Sequence, residues 1–270
     1  MRSGDFLKRH WLVKVLGIML CAVLPAGMLF LSLISLSGSA AAKDKDKDKE
    51  PAEKAVDSGS FGIFQNGHRV ATETFSIQQN ANGSVATSQF KTDNTVQEKA
   101  AQSSELQLTD KGELRRYEWK ELSPGHAQAL VVPNDEFLME RYGDSPEAKQ
   151  HEQPFLLPTS TSILDDYFFV QREILAWKYL ATGCRQQNGQ VQCPEKQRVQ
   201  FGTLNPHSRA SMQVSLEFSG RDKIPIRGVE RELNRLNLES EAGSWTLWLD
   251  DQFKLVRILV RDDNTEVVRD

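Results

Sequence analysis

The chain has 270 residues, 39% of them hydrophobic and 26% charged, with 33 basic and 37 acidic side chains for a formal charge of −4. Four basic residues and one acidic residue fall in the first 42 positions, leaving 29 basic and 36 acidic residues beyond them. That balance supplies no basic face, so nucleic acid is excluded as a partner. The length suits one domain with a topogenic segment attached.

Residues 1–14 carry Arg2, Lys8, Arg9 and Lys14, and residues 15–37 carry no charge at all. As a helix this apolar run would extend ~34 Å, enough to cross a hydrocarbon layer of ~30 Å. The basic flank predicts that the N-terminus stays in the cytoplasm and that the rest is exported to the cell envelope. Two fates stay open. The length of the run favours an uncleaved inner-membrane anchor, with Trp11 at the interface. Ser39-Ala40-Ala41-Ala42 favours a signal peptide cut near Ala42. Cys21 lacks the small residue expected before a lipidated cysteine, which argues against a lipoprotein. The alternating charges from Lys43 to Glu50 cannot bury anything, so 43–59 reads as a flexible charged linker to a domain spanning 60–270.

That domain reads as strands and turns. Asn66-Gly67 and Asn82-Gly83 are hairpin signals, separating strands at 61–65, 68–78 and 85–92. Strands at 95–108, 114–122 and 126–132 follow. In residues 209–218, Ala210, Met212, Val214, Leu216 and Phe218 alternate with polar residues, which predicts one dry and one wet sheet face. Residues 229–238 read as a strand with a bulge, and 245–249 with 253–260 as a closing hairpin. No repeat of 20–50 residues is present.

One stretch has the helical period. In 163–181, Ile163, Leu164, Tyr167, Phe168, Ile174, Trp177 and Leu180 predict an amphipathic helix. Ser162 and Asp165 suggest a capping-box-like start, Asp165 and Asp166 favour the positive helix end, and Gly183 supplies the stop. The fold class expected is mainly β: a single curved antiparallel sheet or incomplete barrel with this helix on its concave face.

Only Cys184 and Cys193 lie outside the apolar segment. With Asn188-Gly189 as a two-residue turn, they face each other as a non-hydrogen-bonded pair, where α-carbons approach to about 4.5 Å. A disulfide fits that spacing and an oxidising compartment. Two cysteines without a nearby histidine are an incomplete zinc set, so no metal site is expected.

No catalytic constellation is visible. His10, His68, His126, His151 and His207 are scattered, and His126 and His207 read as surface or strand positions. On a helix, Asp165 and Asp166 would diverge by about 100°, so they read as helix-end residues. No phosphate loop, nucleophile elbow or dinucleotide fingerprint occurs, and no cofactor is expected. Tyr117, Trp119, Trp177, Trp245 and Trp248 are the candidates for lining an apolar ligand site, although such residues more often form core.

The opening Gly62-x-x-x-x-Asn66-Gly67-His-Arg-Val-Ala-Thr-Glu73-Thr-Phe75 and the closing Trp245-x-x-Trp248-x-Asp250-x-x-x-x-Leu255-Val-Arg-Ile258 resemble uncharacterised bacterial envelope proteins classed as domains of unknown function. More distantly, they resemble the lipoprotein-carrier fold. That resemblance implies an incomplete barrel with an apolar interior, plugged by the 163–181 helix. The expected function is a non-enzymatic envelope protein binding a lipid or other apolar ligand between sheet and helix. The alternative is a membrane-tethered structural or protein-interaction module. An envelope hydrolase is a third reading that lacks its residues.

Overall fold

In the computed structural model, residues 54–93, 99–187 and 190–270 are described. The apolar segment 15–37, Ala42, Cys21, most of the charged linker and the Asn188-Gly189 turn lie outside them. Among the described residues, no helix is long and apolar enough to cross a membrane.

The strands in chain order are β1 (Lys54–Gln65), β2 (His68–Asn80), β3 (Gly83–Thr92), β4 (Ala101–Thr109), β5 (Leu114–Ser123), β6 (Gln128–Asn134), β7 (Phe137–Gly143), β8 (His151–Phe155) and the two-residue β9 (Ser162–Ile163). After the helix α1 (Val170–Gly183) come β10 (Arg185–Gln187), β11 (Gln190–Gln192), β12 (Arg198–Asn205), β13 (Ala210–Ile226), β14 (Val229–Ser240), β15 (Gly243–Leu249), β16 (Leu255–Val260) and β17 (Thr265–Arg269).

Fifteen strands form one sheet, in the order β8-β7-β6-β5-β4-β3-β2-β1-β17-β16-β15-β14-β13-β12-β9. Each half is a meander of antiparallel neighbours, and β1 joins the halves by pairing with β17 from Phe61↔Arg269 to Gln65↔Thr265. The parallel contact of β9 with β12 covers Thr203 and Leu204. The two ends of the sheet, β8 and β9, are not paired with each other. The sheet is therefore open and curved, and not a closed barrel.

Local chemistry accounts for the turns. Asn66 and Gly67 have φ of 50° and 80°, the left-handed pair a two-residue hairpin needs. At Gly83, φ is +142° and an added Cβ would lie 2.0 Å from the Leu108 carbonyl oxygen on β4. Gly83→Ala should therefore cost roughly 2 kcal/mol or more, from backbone strain plus displacement of β4. A denaturation midpoint within error of the parent would refute this.

The bulge expected in β14 belongs to β13. Register jumps between Phe218 and Arg221, opposite Leu236 and Asn234, and Gly220 there has φ of 91°. β1 begins at Lys54, inside the stretch read as linker, because β2 is long enough to pair as far back as Lys54↔Gln79. The cysteine hairpin has the expected register, Arg185↔Gln192, Gln186↔Val191 and Gln187↔Gln190. Cys184 and Cys193 are disulfide-bonded with α-carbons 4.3 Å apart.

The helix departs from expectation at its start. It begins at Val170, not 163, and its N-cap residue Phe169 makes no side-chain cap bond. The cap comes from another strand: the carboxylate of Glu73 on β2 accepts from the N–H of Phe169 at 2.7 Å and of Val170 at 3.3 Å. Ser88 Oγ on β3 donates to the same carboxylate at 2.6 Å. A carboxylate meeting the free N–H groups at the positive end stabilises the helix without a local capping box.

The buried face is also different. Leu175, Ala176 and Tyr179 are buried along with Gln171, Arg172 and Glu173, whereas Ile174, Trp177 and Leu180 are only partly covered. The curved sheet covers more than one side of α1, so a single apolar stripe does not describe it. Phe168, Leu175 and Tyr179 join Phe61, Phe75, Leu236 and Leu247 from the strands in one core.

Candidate functional site

Residues 164–169 leave β9 and run beneath β4, β5 and the turn between β12 and β13. Asp165 lies here, fully buried. Tyr117 Oη donates to its Oδ2 at 2.6 Å, and His207 Nδ1 lies 2.6 Å from the same oxygen. The Tyr167 N–H donates to Oδ1 at 3.0 Å, and the Asp165 N–H donates to Gln171 Oε1 at 2.6 Å. Burial pushes the Asp165 carboxyl up, but the His207 charge and hydrogen bond, then Tyr117 and the Tyr167 N–H, outweigh it and hold the carboxyl below its ordinary value. Burial and the neighbouring Asp165 push the Tyr117 hydroxyl well up.

His207 is placed by a local device. Asn205 Oδ1 accepts from the His207 N–H at 3.0 Å and the Ser208 N–H at 3.3 Å, folding the turn back over β5. The imidazole stacks on Trp119 with centroids 3.9 Å apart, and Tyr167 tilts against it at 4.7 Å. Its Nε2 lies 2.9 Å from Gln102 Oε1 on β4. Both ring nitrogens are thus engaged by groups of this chain. The constellation fastens three segments together: the β4–β5 strands, residues 164–169 and the β12–β13 turn.

The neighbouring acids have separate environments. Asp166 accepts from Asn205 Nδ2 at 2.6 Å, and burial, with Asp165 nearby, pushes it up to about 6. Glu140 on β7 is 0% exposed, and neither carboxyl oxygen has a hydrogen-bond partner. Burial pushes it up to about 8, with Arg209 opposing and Asp165 reinforcing the shift. A second acidic centre lies along α1: Glu173 accepts from the Leu255 N–H at 3.0 Å. Burial and the adjoining Asp57 push Glu173 up to about 9. Burial alone would raise Asp57, but Glu173 beside it and the ion pairs with Arg269 and Lys254 keep it below its ordinary value.

The five aromatic candidates do not converge on one cavity. Tyr117 and Trp119 share the Asp165–His207 cluster. Trp177 Nε1 donates to the Phe253 carbonyl at 2.8 Å. Trp245 lies beneath the Arg172 guanidinium at 4.7 Å. Trp248 packs on the other sheet face with Ile226, Leu233 and Val256 and donates from Nε1 to Asp222 at 3.2 Å.

The sequence reading put His207 at the surface or on a strand and Asp165 and Asp166 on a helix end. His207 instead lies partly buried in the β12–β13 turn, and both aspartates precede the helix, which begins at Val170. Asp165 and His207 are 42 positions apart, so no motif spacing joins them. The Asn205-Pro206-His207-Ser208 turn chemistry was the one local signal available.

A second feature lies at the sheet edge. β9 leaves residues 198–202 of β12 paired with β13 alone. Beside them an open groove of about 570 Å³ is lined by Leu157, Pro158, Thr161, Gly202, Met212 and Glu241 among others. Thr161 Oγ1 is buried there without a partner, and the adjacent Leu156 is 92% exposed.

No family model matches this chain. A search of curated proteins also returns no match. Among solved structures, a β-barrel-like protein of domain of unknown function DUF1849 from Brucella abortus aligns with TM-score 0.49 and 8% identity, covering 78% of this chain and 93% of its own. A duf1089 family protein from Pseudomonas aeruginosa aligns with TM-score 0.39 and 10% identity, covering 68% and 87%.

Proposed function

We propose that the chain is a non-enzymatic module of the cell envelope, tethered through its N-terminal segment, whose free β12 edge pairs with an extended segment of a partner protein. The observation that carries this is how tightly the helix is bonded to the strands. α1 is bonded to the sheet at many points: Glu73 holds its N-terminus, Glu173 meets Leu255, Trp177 meets Phe253, and Tyr179 Oη donates to the Gln197 carbonyl at 2.9 Å. An apolar ligand between sheet and helix would have to break buried polar bonds, each costly to leave unmade. The β12 edge beside its groove instead offers unpaired backbone groups to an added strand.

A photo-crosslinking residue in place of exposed Gln200 on β12 should capture a defined partner in membranes, whereas one in place of exposed Val229 should not. Organic extraction of the purified full chain should release no lipid near one mole per mole. A stoichiometric lipid would return the reading to ligand binding between sheet and helix.

A further inference from the structure

The turn between β12 and β13 joins distant parts of the sheet. β5 and β7 lie near one end of the strand order, and β12 and β13 near the other. Across that gap His207 stacks on Trp119, and the Arg209 guanidinium sits 4.5 Å over the Tyr142 ring of β7. Arg209 reaches this position with φ of 51°, a backbone region a long side chain adopts only where its surroundings hold it. The contact closes one stretch of the open side.

Glu140 is the buried acid associated with this closure. Its strand neighbours are uncharged, Val131 on β6 and Gln153 on β8. The charged groups acting on it are Arg209 on the turn and Asp165 on the 164–169 segment, and Asp165 is itself bonded to His207 and Tyr117. His151 of β8 is engaged with Tyr142, their rings stacked at 5.4 Å. Arg209 is occupied by Tyr142 and makes no hydrogen bond to Glu140, while Asp165 supplies a second negative charge. A neutral carboxyl fits this place. An ionised one needs water, and lifting the turn admits it.

We propose that the β12–β13 turn is a pH-released clasp on the open side of the sheet, shut while Glu140 is protonated and released when Glu140 ionises. Release uncovers Trp119, whose buried indole N–H has no partner in the closed state, together with Tyr142, and so presents an aromatic surface that the shut form hides. The direction follows from proton linkage: the closed form binds the Glu140 proton more tightly, so opening becomes easier as pH rises toward about 8.

Hydrogen–deuterium exchange on the full chain, corrected for intrinsic rates, tests this. Protection of amides in 205–210 should fall roughly tenfold per pH unit between pH 6 and 8, at pH values where the β15–β16 hairpin is still far more strongly protected. Glu140→Gln should keep the turn protected at both pH values. The same pH-dependent loss in Glu140→Gln, or uniform protection in the parent, overturns the proposal. If the variant does not fold, the parent decides: a loss confined to the turn supports the clasp, and one that coincides with global unfolding overturns it.

Discussion

Asp165→Ala is expected to lower stability by roughly 3–5 kcal/mol, as removal of one member of a buried charged network does. The substitution strands several groups at once: the Tyr117 hydroxyl, the His207 imidazole and the Tyr167 N–H all bond this carboxylate. Each becomes a buried polar group without its partner, costing about 1–3 kcal/mol where water cannot enter. Asp165→Asn keeps the shape and one acceptor oxygen, so it should cost less. Urea denaturation of both variants checks the ordering, and a loss below about 1 kcal/mol for the alanine variant would show that the cluster does not hold the segments together.

Stability should also fall as pH rises from mildly acidic to mildly basic. Burial raises Glu73 to about 7, Glu140 to about 8 and Glu173 to about 9 in the folded chain, whereas the unfolded chain releases these protons near 4.5. Between those limits the folded state holds more protons than the unfolded one. The stabilisation is complete at the acidic end and is lost as pH climbs through the folded values. Each glutamate contributes a slope on the order of 1 kcal/mol per pH unit inside its window. Asp57 and Asp165 act oppositely. Their folded values lie below the ordinary 3.8, so what they contribute is present above that value and lost in stronger acid. The urea midpoint should be higher at pH 5 than at pH 8, and Glu140→Gln should flatten part of the slope. A midpoint rising across that interval would mean these acids find solvent or partners in the fold.

Much of the architecture was readable from local chemistry. Asn66-Gly67 announces its hairpin because few other pairs adopt the required backbone, whereas Asn82-Gly83 is one residue off the β2–β3 turn, which is closed by Asn80↔Gly83 with Gly83 already in the strand. Alternation along 209–218 announces a sheet with one covered face, and Cys184 and Cys193 sit at matching distances from a turn. Each of these depends on residues within a dozen positions. The start of α1 does not: its N-terminal N–H groups are met by Glu73, 96 positions away from Phe169, so no local cap marks position 170. Nor does the buried face, where Arg172 and Glu173 are sheltered by partners on remote segments.

By itself the sequence determined the mainly β character, the registers of the Asn66-Gly67 and cysteine hairpins, the disulfide, the presence of one helix and the basic, apolar character of the N-terminal segment, because short-range periodicity and backbone preference suffice for these. Strands such as β7, β8, β12 and β17 carried no such signal. Only the tertiary structure decided where the helix begins, that Asp165, His207, Tyr117 and Gln102 form one buried cluster, and that Glu140 lies there without a partner. Burial of a charge is a property of everything that surrounds it. Those surroundings are assembled from strands that pair far apart along the chain.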